Sequence, residues 1–310
     1  MVNVEIAGIG TSLPQNYVDF AGGRRFRISG EETHLKLLCA SAINALKNAN
    51  MTIDDIDAVV GAVTIGLQPI PCTAALVHEV IAKDKSMPAF DVNSTCTSFI
   101  TALDLVSLQI QSGRFKRVLI VSGDVASLAL NENERHSFEL FGDGAVSMVI
   151  AKSENADIGI LYAHQITLSS GAHLTEIAGG GSNFPPYHYN EKIKSKFQFH
   201  MEGKSALVLA FKIGVDLFAD TLKSAGLSLD DIDMVIPHQA SPALDVIMKK
   251  LGIPSHKYIN IIKEYGNMVS GSVPFAFKWA VDNGKIKRGD TVLFMGTAAG
   301  LTANSLLLRY

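Results

Sequence analysis

Short apolar runs alternate with longer amphipathic stretches along the whole chain. Runs rich in β-branched residues and bounded by turn formers predict eight strands, at Val4–Ile9, Asp57–Val63, Ala89–Val92, Val118–Ser122, Ala145–Lys152, Met234–Pro237, Thr291–Met295 and Asn304–Arg309. Stretches whose apolar residues recur three and four positions apart predict six helices, at Glu31–Asn48, Ala74–Ala82, Ser98–Gln111, Gly203–Ala225, Ala243–Leu251 and Val273–Asn283. Strands that alternate with helices are typical of a layered α/β fold.

The sequence also contains an internal repeat. Two pairs of segments are similar, at offsets of 176 and 171 residues: Ala49–Val60 with Ala225–Ile236, and Gly113–Arg117 with Gly284–Arg288. Each copy of the second segment precedes a predicted strand. Two copies in the same order indicate a duplicated unit, and we expect one half at residues 1–160 and the other at residues 161–310.

The composition of the chain indicates its cellular compartment and argues against some classes of partner. The 310 residues carry a net charge of −3, which argues against a basic surface for nucleic acid. No apolar run reaches membrane-spanning length, and the N-terminus lacks the pattern of a secretion leader. The three cysteines, Cys39, Cys72 and Cys96, have the spacing of neither a disulfide framework nor a zinc site. We therefore expect a cytoplasmic protein without a bound metal.

Cys96 lies where a predicted strand gives way to a predicted helix, Ser98–Gln111. A thiol at a helix N-terminus is close to free amide N–H groups and to the positive end of the helix dipole, which favour the thiolate. The same amides suit a developing oxyanion on a carbonyl that the sulfur attacks. The alternative is an unreactive buried cysteine, since free cysteine is often buried.

If the two halves are repeats, two polar residues of the second half are predicted to lie near Cys96. An offset of 171 takes Cys96 to Asn267, which predicts equivalent strand-to-helix turns, and His238 follows the second copy of a repeated strand. Ligands of open α/β sheets bind outside the carboxyl ends of the strands. Taken singly, His238 could be a hydrogen-bonded core histidine and Asn267 a turn residue.

Together these residues suit acyl transfer through a covalent intermediate. A thiolate that attacks an acyl thioester forms another thioester, so transfer divides into loading and discharge. His238 can exchange a proton near neutral pH, and the Asn267 amide donates without being protonated. Two such donors on one carbonyl oxygen would stabilise an enolate, such as the one left when a malonyl group loses carbon dioxide.

Six segments along the chain resemble the thiolase superfamily, and in particular beta-ketoacyl-ACP synthase III. They occur in the family's order, at Ile6–Pro14, Asp91–Cys96, Phe141–Ala145, Pro237–Ala240, Tyr265–Asn267 and Gly300–Thr302. The resemblance implies a duplicated five-layer αβαβα fold, a homodimer, and no metal or redox cofactor. It also implies acyl-carrier-protein or coenzyme A thioesters as substrates, with a malonyl thioester as the extender.

The resemblance assigns a role to individual residues. Cys96 corresponds to the family's acyl-accepting nucleophile, and His238 and Asn267 to the pair that assists decarboxylation and condensation. The backbone N–H groups of Cys96 and Ala299 correspond to the oxyanion hole. Further residues are expected to bind substrate: Phe141 and Met201 in the lining, Arg27 at a phosphate, and Lys249 and Lys250 at a carrier protein.

The chain departs from the housekeeping members of the family at the substrate entrance. The segment Tyr17–Arg27 is short and lacks the tryptophan of the usual nucleotide clasp. Lys249 and Lys250 stand near the position of a carrier-binding arginine, although a solvated helix face would also explain them. Gly179–Tyr187 is rich in turn formers and is expected to cap the entrance. These differences favour a specialised relative that uses a carrier protein or an unusual thioester.

Three alternatives to decarboxylative condensation share this sequence pattern. The acyl group could pass from Cys96 to an oxygen or nitrogen nucleophile, or enter a non-decarboxylative condensation. The chain could also be a non-catalytic partner of a ketosynthase. Such partners commonly lose the nucleophile or its companions, whereas Cys96, His238 and Asn267 are all present.

Overall fold

Two β-sheets and the helices around them make up the chain, whose computed structural model describes residues 1–310. The first part of the chain forms β1 (Val4–Ser12), β2 (Tyr17–Phe20), β3 (Gly23–Phe26), α1 (His34–Asn48), β4 (Ala58–Ala62), α2 (Thr73–Ile81), β5 (Ala89–Asp91), α3 (Ser98–Gln111), β6 (Arg117–Asp124), α4 (Arg135–Phe138) and β7 (Gly144–Lys152). The second part forms β8 (Gly159–Thr167), β9 (Thr175–Glu176), β10 (His200–Met201), α5 (Gly203–Ala225), β11 (Met234–Pro237), α6 (Leu244–Lys250), α7 (Ile262–Tyr265), α8 (Ser272–Asp282), β12 (Thr291–Ala298) and β13 (Thr302–Arg309).

The two sheets share one strand order. The first runs β1-β7-β6-β4-β5 and the second β8-β13-β12-β11. Each has a parallel pair, β4–β6 or β11–β12, continued by antiparallel strands toward one edge. The counterpart of β5 in the second sheet is reduced to a single bridge between Val235 and Tyr258. The duplicated α/β fold predicted from the repeat is therefore confirmed.

Helices form three layers around the two sheets. α1 and α2 cover the outer face of the first sheet, while α5 and α6 pack on the outer face of the second. α3 and α8 lie between the sheets. The largest apolar cluster fills this middle layer and includes Phe99 of α3, Phe277 of α8 and Phe294 of β12. The order of layers is the predicted αβαβα, and it puts the N-termini of α3 and α8 in the interior.

The strands β4 and β11 follow the same local structure, which explains the repeated motif before them. A one-turn helix with a capping box precedes each strand, formed by Thr52 with Asp55 and by Ser228 with Asp231. In each box the Asp carboxylate accepts the backbone N–H of the hydroxyl residue, at 2.9 Å for Thr52 and 2.7 Å for Ser228, and the hydroxyl donates to the same carboxylate. The similarity of sequence therefore reflects the same turn built twice.

Some elements lie outside the predictions. β8 and the β2–β3 hairpin were not expected, and α1 begins at His34 because the Thr33 side chain accepts the Lys36 N–H and caps it there. The division after residue 160 stays a prediction. β8 (Gly159–Thr167) spans that point, and the whole strand belongs to the second sheet.

Candidate active site

Cys96 lies in a single 3₁₀ turn, Thr95–Thr97, between β5 and α3. Thr95 has a φ of 53°, a left-handed conformation that is unusual for a β-branched residue. The Asn93 side chain supports it, since its Oδ1 accepts the Thr95 N–H at 2.8 Å. Ser98 Oγ accepts the Ser94 N–H at 3.0 Å. These bonds hold Cys96 at the entry to α3.

The second half contains a turn with the same backbone before α8. Val269 has a φ of 52°, and Asn267 Oδ1 accepts its N–H at 2.8 Å. Ser272 Oγ accepts the Met268 N–H at 2.9 Å. The two turns match at an offset of 174, which makes Ser270 the counterpart of Cys96.

This match corrects the register inferred from the sequence. Cys96 and Asn267 do lie in equivalent strand-to-helix turns, but Asn267 is the counterpart of Asn93, so the offset of 171 is three residues short at this point. The offset of 171 came from segments that lie after α3 and α8. Because α3 has 14 residues and α8 has 11, the offset falls by three across them.

Asn267 is oriented by its own turn. Its Oδ1 accepts the Val269 N–H and also the Ser272 hydroxyl, at 3.3 Å, so the amide oxygen is occupied. Its backbone N–H donates to Leu140 O at 3.0 Å, which ties it to the strand-like segment at Phe141. The side-chain Nδ2 has no partner in the chain, and Asn267 lines the cavity described below.

His238 follows directly on the last residue of β11. Its backbone N–H donates to Met295 O at 2.8 Å, which continues the ladder with β12. The ring is buried, and Nδ1 has no hydrogen-bond partner. A Cβ at Gly296 would lie 2.7 Å from the His238 Cβ, so only glycine leaves room for this ring. Burial lowers the pKa of His238 to about 4, which makes it neutral near pH 7.

The Cys96 thiol does not have the low pKa expected at a helix N-terminus. Burial raises its pKa to about 12, although the backbone of Ala299 acts in the opposite direction. Desolvation of the thiolate therefore outweighs the amide groups and the helix dipole. The resting group is a thiol.

One cavity of about 1840 Å³ brings the predicted chemical groups together. Cys96, His238 and Asn267 all line it, as do Ala299 and the two residues expected in the lining, Phe141 and Met201. The facing sides of α5 and α6 supply much of its apolar wall. The segment predicted to cap the entrance contributes Gly179, Gly180, Gly181 and Pro186.

Three predicted substrate-binding residues do not line this cavity. The Arg27 guanidinium lies 5.0 Å from the Phe20 ring and 4.3 Å from the Phe138 ring, and it donates to the Phe138 carbonyl. Lys249 and Lys250 are exposed at the C-terminal end of α6. The Arg27 guanidinium is thus bound by other groups of the protein, and the two lysines lie outside the cavity.

Sequence reasoning missed the carboxylate of Asp124, which joins the two halves behind the site. Asp124 is fully buried at the end of β6 and accepts the Thr64 and Ile65 N–H groups, at 3.0 and 2.9 Å. It also accepts the Ser270 hydroxyl at 2.6 Å and the Ser270 N–H at 3.1 Å. An acidic residue directly after an apolar strand was the available signal.

The structure contains no group of three or more His, Cys, Asp or Glu side chains placed to hold a metal ion. None of its helices combines the length and apolar character needed to cross a bilayer.

Comparison with known proteins identifies the family. Residues 90–169 match the family model for 3-oxoacyl-[acyl-carrier-protein] synthase III, and residues 222–310 match the model for its C-terminal part. Over their full lengths, the chain is 31% identical to a beta-ketoacyl-[acyl-carrier-protein] synthase III of Clostridium perfringens and 30% identical to one of Aquifex aeolicus. The chain belongs to the synthase III family.

The solved structures agree with this assignment. The Aquifex aeolicus synthase III crystal structure superposes with a TM-score of 0.88 and 29% identity, covering 99% of this chain and 100% of the other. Xanthomonas campestris OleA, at 22% identity, shares the fold with a TM-score of 0.85, covering 99% of this chain and 98% of the other. This synthase III family member is therefore a condensing enzyme with the thiolase-type fold expected from its sequence.

Proposed function

We propose that this synthase III family member loads an acyl group on Cys96 and condenses it with a malonyl- or beta-ketoacyl-thioester; carbon dioxide is lost when the extender is a malonyl-thioester. One observation carries the proposal: a thiol, an unpartnered buried imidazole and an amide with a free Nδ2 line one cavity. Each step below uses these side chains and backbone amides, so the proposed reaction requires no metal or redox cofactor.

In the loading step, Cys96 sulfur forms a bond to the acyl carbon and the bond from that carbon to the donor sulfur breaks. The thiol proton leaves through His238, whose unpartnered ring nitrogen can accept it, and ends on the departing donor thiol. The backbone N–H groups of Cys96 and Ala299 bind the oxyanion that forms between these events. The backbone of Ala299 also acts to lower the pKa of the Cys96 thiol, as a donor close to the sulfur would.

In the condensing step, the carboxylate of the extender leaves as carbon dioxide and its electron pair forms an enolate. Asn267 Nδ2 and the neutral His238 ring donate to the enolate oxygen, because a neutral imidazole carries one N–H. The enolate carbon then attacks the acyl carbon. A carbon–carbon bond forms, the bond to Cys96 breaks, and the thiolate takes up a proton.

The cavity suits a substrate delivered on a pantetheine arm, attached to acyl carrier protein or coenzyme A. The volume of about 1840 Å³ exceeds the roughly 300–1,000 Å³ of a typical small-ligand site, which leaves room for an arm and an acyl chain. Since Arg27 is held between two rings, recognition of a phosphate at the entrance falls to other cations. Lys249 and Lys250 remain candidates for contact with a carrier protein.

The proposal also covers the oligomeric state and the cellular location of the enzyme. We infer a homodimer, because β5 is an edge strand whose outer side is unpaired, Phe90 on it is exposed, and Leu105 and Leu108 of α3 are exposed as well. A cytoplasmic location fits three cysteines that are all free, since disulfides form in oxidising compartments. The two-half organisation, divided near residue 160, is part of the same proposal.

The experiment is intact-protein mass spectrometry after exposure to a panel of acyl-carrier-protein and acyl-coenzyme A thioesters, followed by a malonyl donor. We expect an acyl adduct on the wild type and on Cys72→Ala, a matched control because Cys72 lies outside the cavity. Cys96→Ala should form none. Asn267→Ala should form the adduct and discharge it roughly 100-fold more slowly, as expected for loss of one donor to an oxyanion.

The product separates the alternatives. A chain-extended product with release of carbon dioxide supports the proposal. An adduct that ignores the malonyl donor and yields an ester or amide with an alcohol or amine would replace condensation by acyl transfer. Absence of an adduct with every donor, together with full pathway activity in Cys96→Ala, would identify a non-catalytic partner.

A further inference from the structure

Thr95 joins the nucleophile turn to the loop that carries the second oxyanion donor. Its hydroxyl donates to Ala299 O at 3.0 Å, across 204 positions of sequence and between the two halves. The loop Ala299–Leu301 connects β12 to β13 and includes two left-handed residues, Gly300 with a φ of 80° and Leu301 with a φ of 49°. The backbone of this loop makes one other hydrogen bond to a distant segment, from the Leu168 N–H to Leu301 O at 3.0 Å.

The Thr95 hydroxyl has one proton, and two carbonyls compete for it. Ser94 O lies 2.8 Å away, but it also accepts the Thr97 hydroxyl at 3.0 Å and the Thr97 N–H at 3.3 Å. Ala299 O accepts no other hydrogen bond from the chain. Because Ser94 O has other donors and Ala299 O has none, the bond to Ala299 is the one that only Thr95 can make.

The second turn shows that the hydroxyl is not needed to build this backbone. Val269 occupies the position equivalent to Thr95, with nearly the same φ and the same support from an asparagine Oδ1. Valine has the shape of threonine without the hydroxyl. The turn therefore forms with either residue, and the hydroxyl is present only in the half that contains Cys96.

We propose that Thr95 is a positioning residue: by anchoring the Ala299 carbonyl it restricts rotation about Ala299 and so keeps the Ala299 N–H, in the preceding peptide, directed at the carbonyl oxygen of the acyl group on Cys96. This inference rests on the proposed function, in which that N–H stabilises an oxyanion. A donor works in an oxyanion hole only when it is held in place before the charge develops. The hydrogen bond from the Thr95 hydroxyl fixes the Ala299 carbonyl, and Thr95 lies in the same turn as the Cys96 sulfur.

The test compares Thr95→Val with Thr95→Ser and the wild type. Thr95→Val should lower kcat for acylation and for condensation by about 10- to 100-fold, somewhat less than loss of a whole oxyanion donor. KM and the unfolding midpoint should change little, because Val269 shows that valine fits this backbone. Thr95→Ser should restore most of the rate. Thr95→Ala makes the same comparison if the valine variant does not fold.

Alkylation of Cys96 by iodoacetamide separates positioning of the oxyanion hole from an effect on the thiol, because this reaction develops no oxyanion. We expect Thr95→Val and wild type to be alkylated at similar rates. Equal losses in alkylation and acylation would overturn the inference, as would a kcat in Thr95→Val within twofold of wild type or a failure of serine to restore it. A wild type that acylates without condensing would refute the proposed condensation alone, since acylation also passes through the oxyanion and still tests Thr95.

Discussion

At the scale of single residues, burial moves the pKa values of Cys96 and His238 in opposite directions. The pKa of the thiol rises to about 12 and that of the imidazole falls to about 4, so both groups are neutral near pH 7. A neutral resting pair costs less in a desolvated cavity than an ion pair does. In the proposed reaction, the Cys96 proton therefore leaves as the sulfur attacks a bound thioester.

The buried imidazole predicts a pH dependence of stability. The unfolded state binds a proton on His238 as pH falls below 6.5, whereas the folded state does so only near pH 4. Between these values the free energy of unfolding should fall with falling pH, by on the order of 3 kcal/mol in total. Urea unfolding of wild type and His238→Gln at pH 7.5 and 4.5 measures this. The glutamine variant should lose less stability on acidification.

The exposed His256 provides the control. His256→Gln removes an exposed imidazole instead of the buried one and should keep the wild-type dependence on pH. If His238→Gln and wild type lose the same stability between the two pH values, the imidazole is not held neutral by burial.

The local sequence identified the residues of the site better than it predicted their pKa values and contacts. The strand-to-helix junction singled out Cys96, and the strand end singled out His238; both line the cavity. The thiol pKa was predicted in the wrong direction because desolvation depends on side chains brought from both halves. Likewise, the contacts of the Arg27 guanidinium with the Phe20 and Phe138 rings form only in the folded chain.

At the scale of elements, the close packing of β1 against α1 depends on glycine. A Cβ at Gly10 would overlap Ser41 O and Ala45 N of α1, both of which are backbone atoms that cannot move independently. Gly8 meets the same helix one turn later. The two glycines let the strand and helix approach more closely than side chains would permit.

Gly10→Ala should therefore destabilise the protein by about 1–3 kcal/mol or more, the usual cost of overpacking. The midpoint of urea unfolding measures the change. Gly181→Ala is the matched control, because a Cβ there meets no atom within 4 Å and the residue has no left-handed φ. Equal midpoints for the two variants would contradict the packing argument.

The elements that sequence missed have weak local patterns. β8 (Gly159–Thr167) is an edge strand that mixes tyrosine, histidine and glutamine with its apolar residues, and much of its later part is partly exposed. β2 and β3 are four-residue strands with few buried positions. Strands buried on both faces, such as β4 and β6, consist of continuous apolar runs and were predictable.

At the scale of the whole molecule, the edge of the first sheet remains open. Phe90 of β5 is 38% exposed, and Leu105 and Leu108 of α3 are 46% and 49% exposed. An open strand edge and exposed apolar side chains each favour association with another copy. The equivalent edge of the second sheet has no full strand, so this surface occurs once per chain.

Phe90→Lys should therefore shift the protein from dimer toward monomer, because it places a charge in the apolar part of the expected interface. Light scattering after size-exclusion chromatography measures the mass at several concentrations. Val246→Lys introduces the same charge at an exposed valine of α6, on the outer layer of the second half, and should stay dimeric. A wild type that is monomeric at all concentrations would refute the homodimer.

The paired turns before α3 and α8 have a consequence for how this enzyme could have arisen. An ancestral pair of identical halves would present the same reactive position twice, facing a shared interior. In the present chain one position has the thiol of Cys96, whereas the hydroxyl of Ser270 at the other donates a hydrogen bond to Asp124. At these two turns the copies therefore differ in their side chains, while the backbone is the same in both.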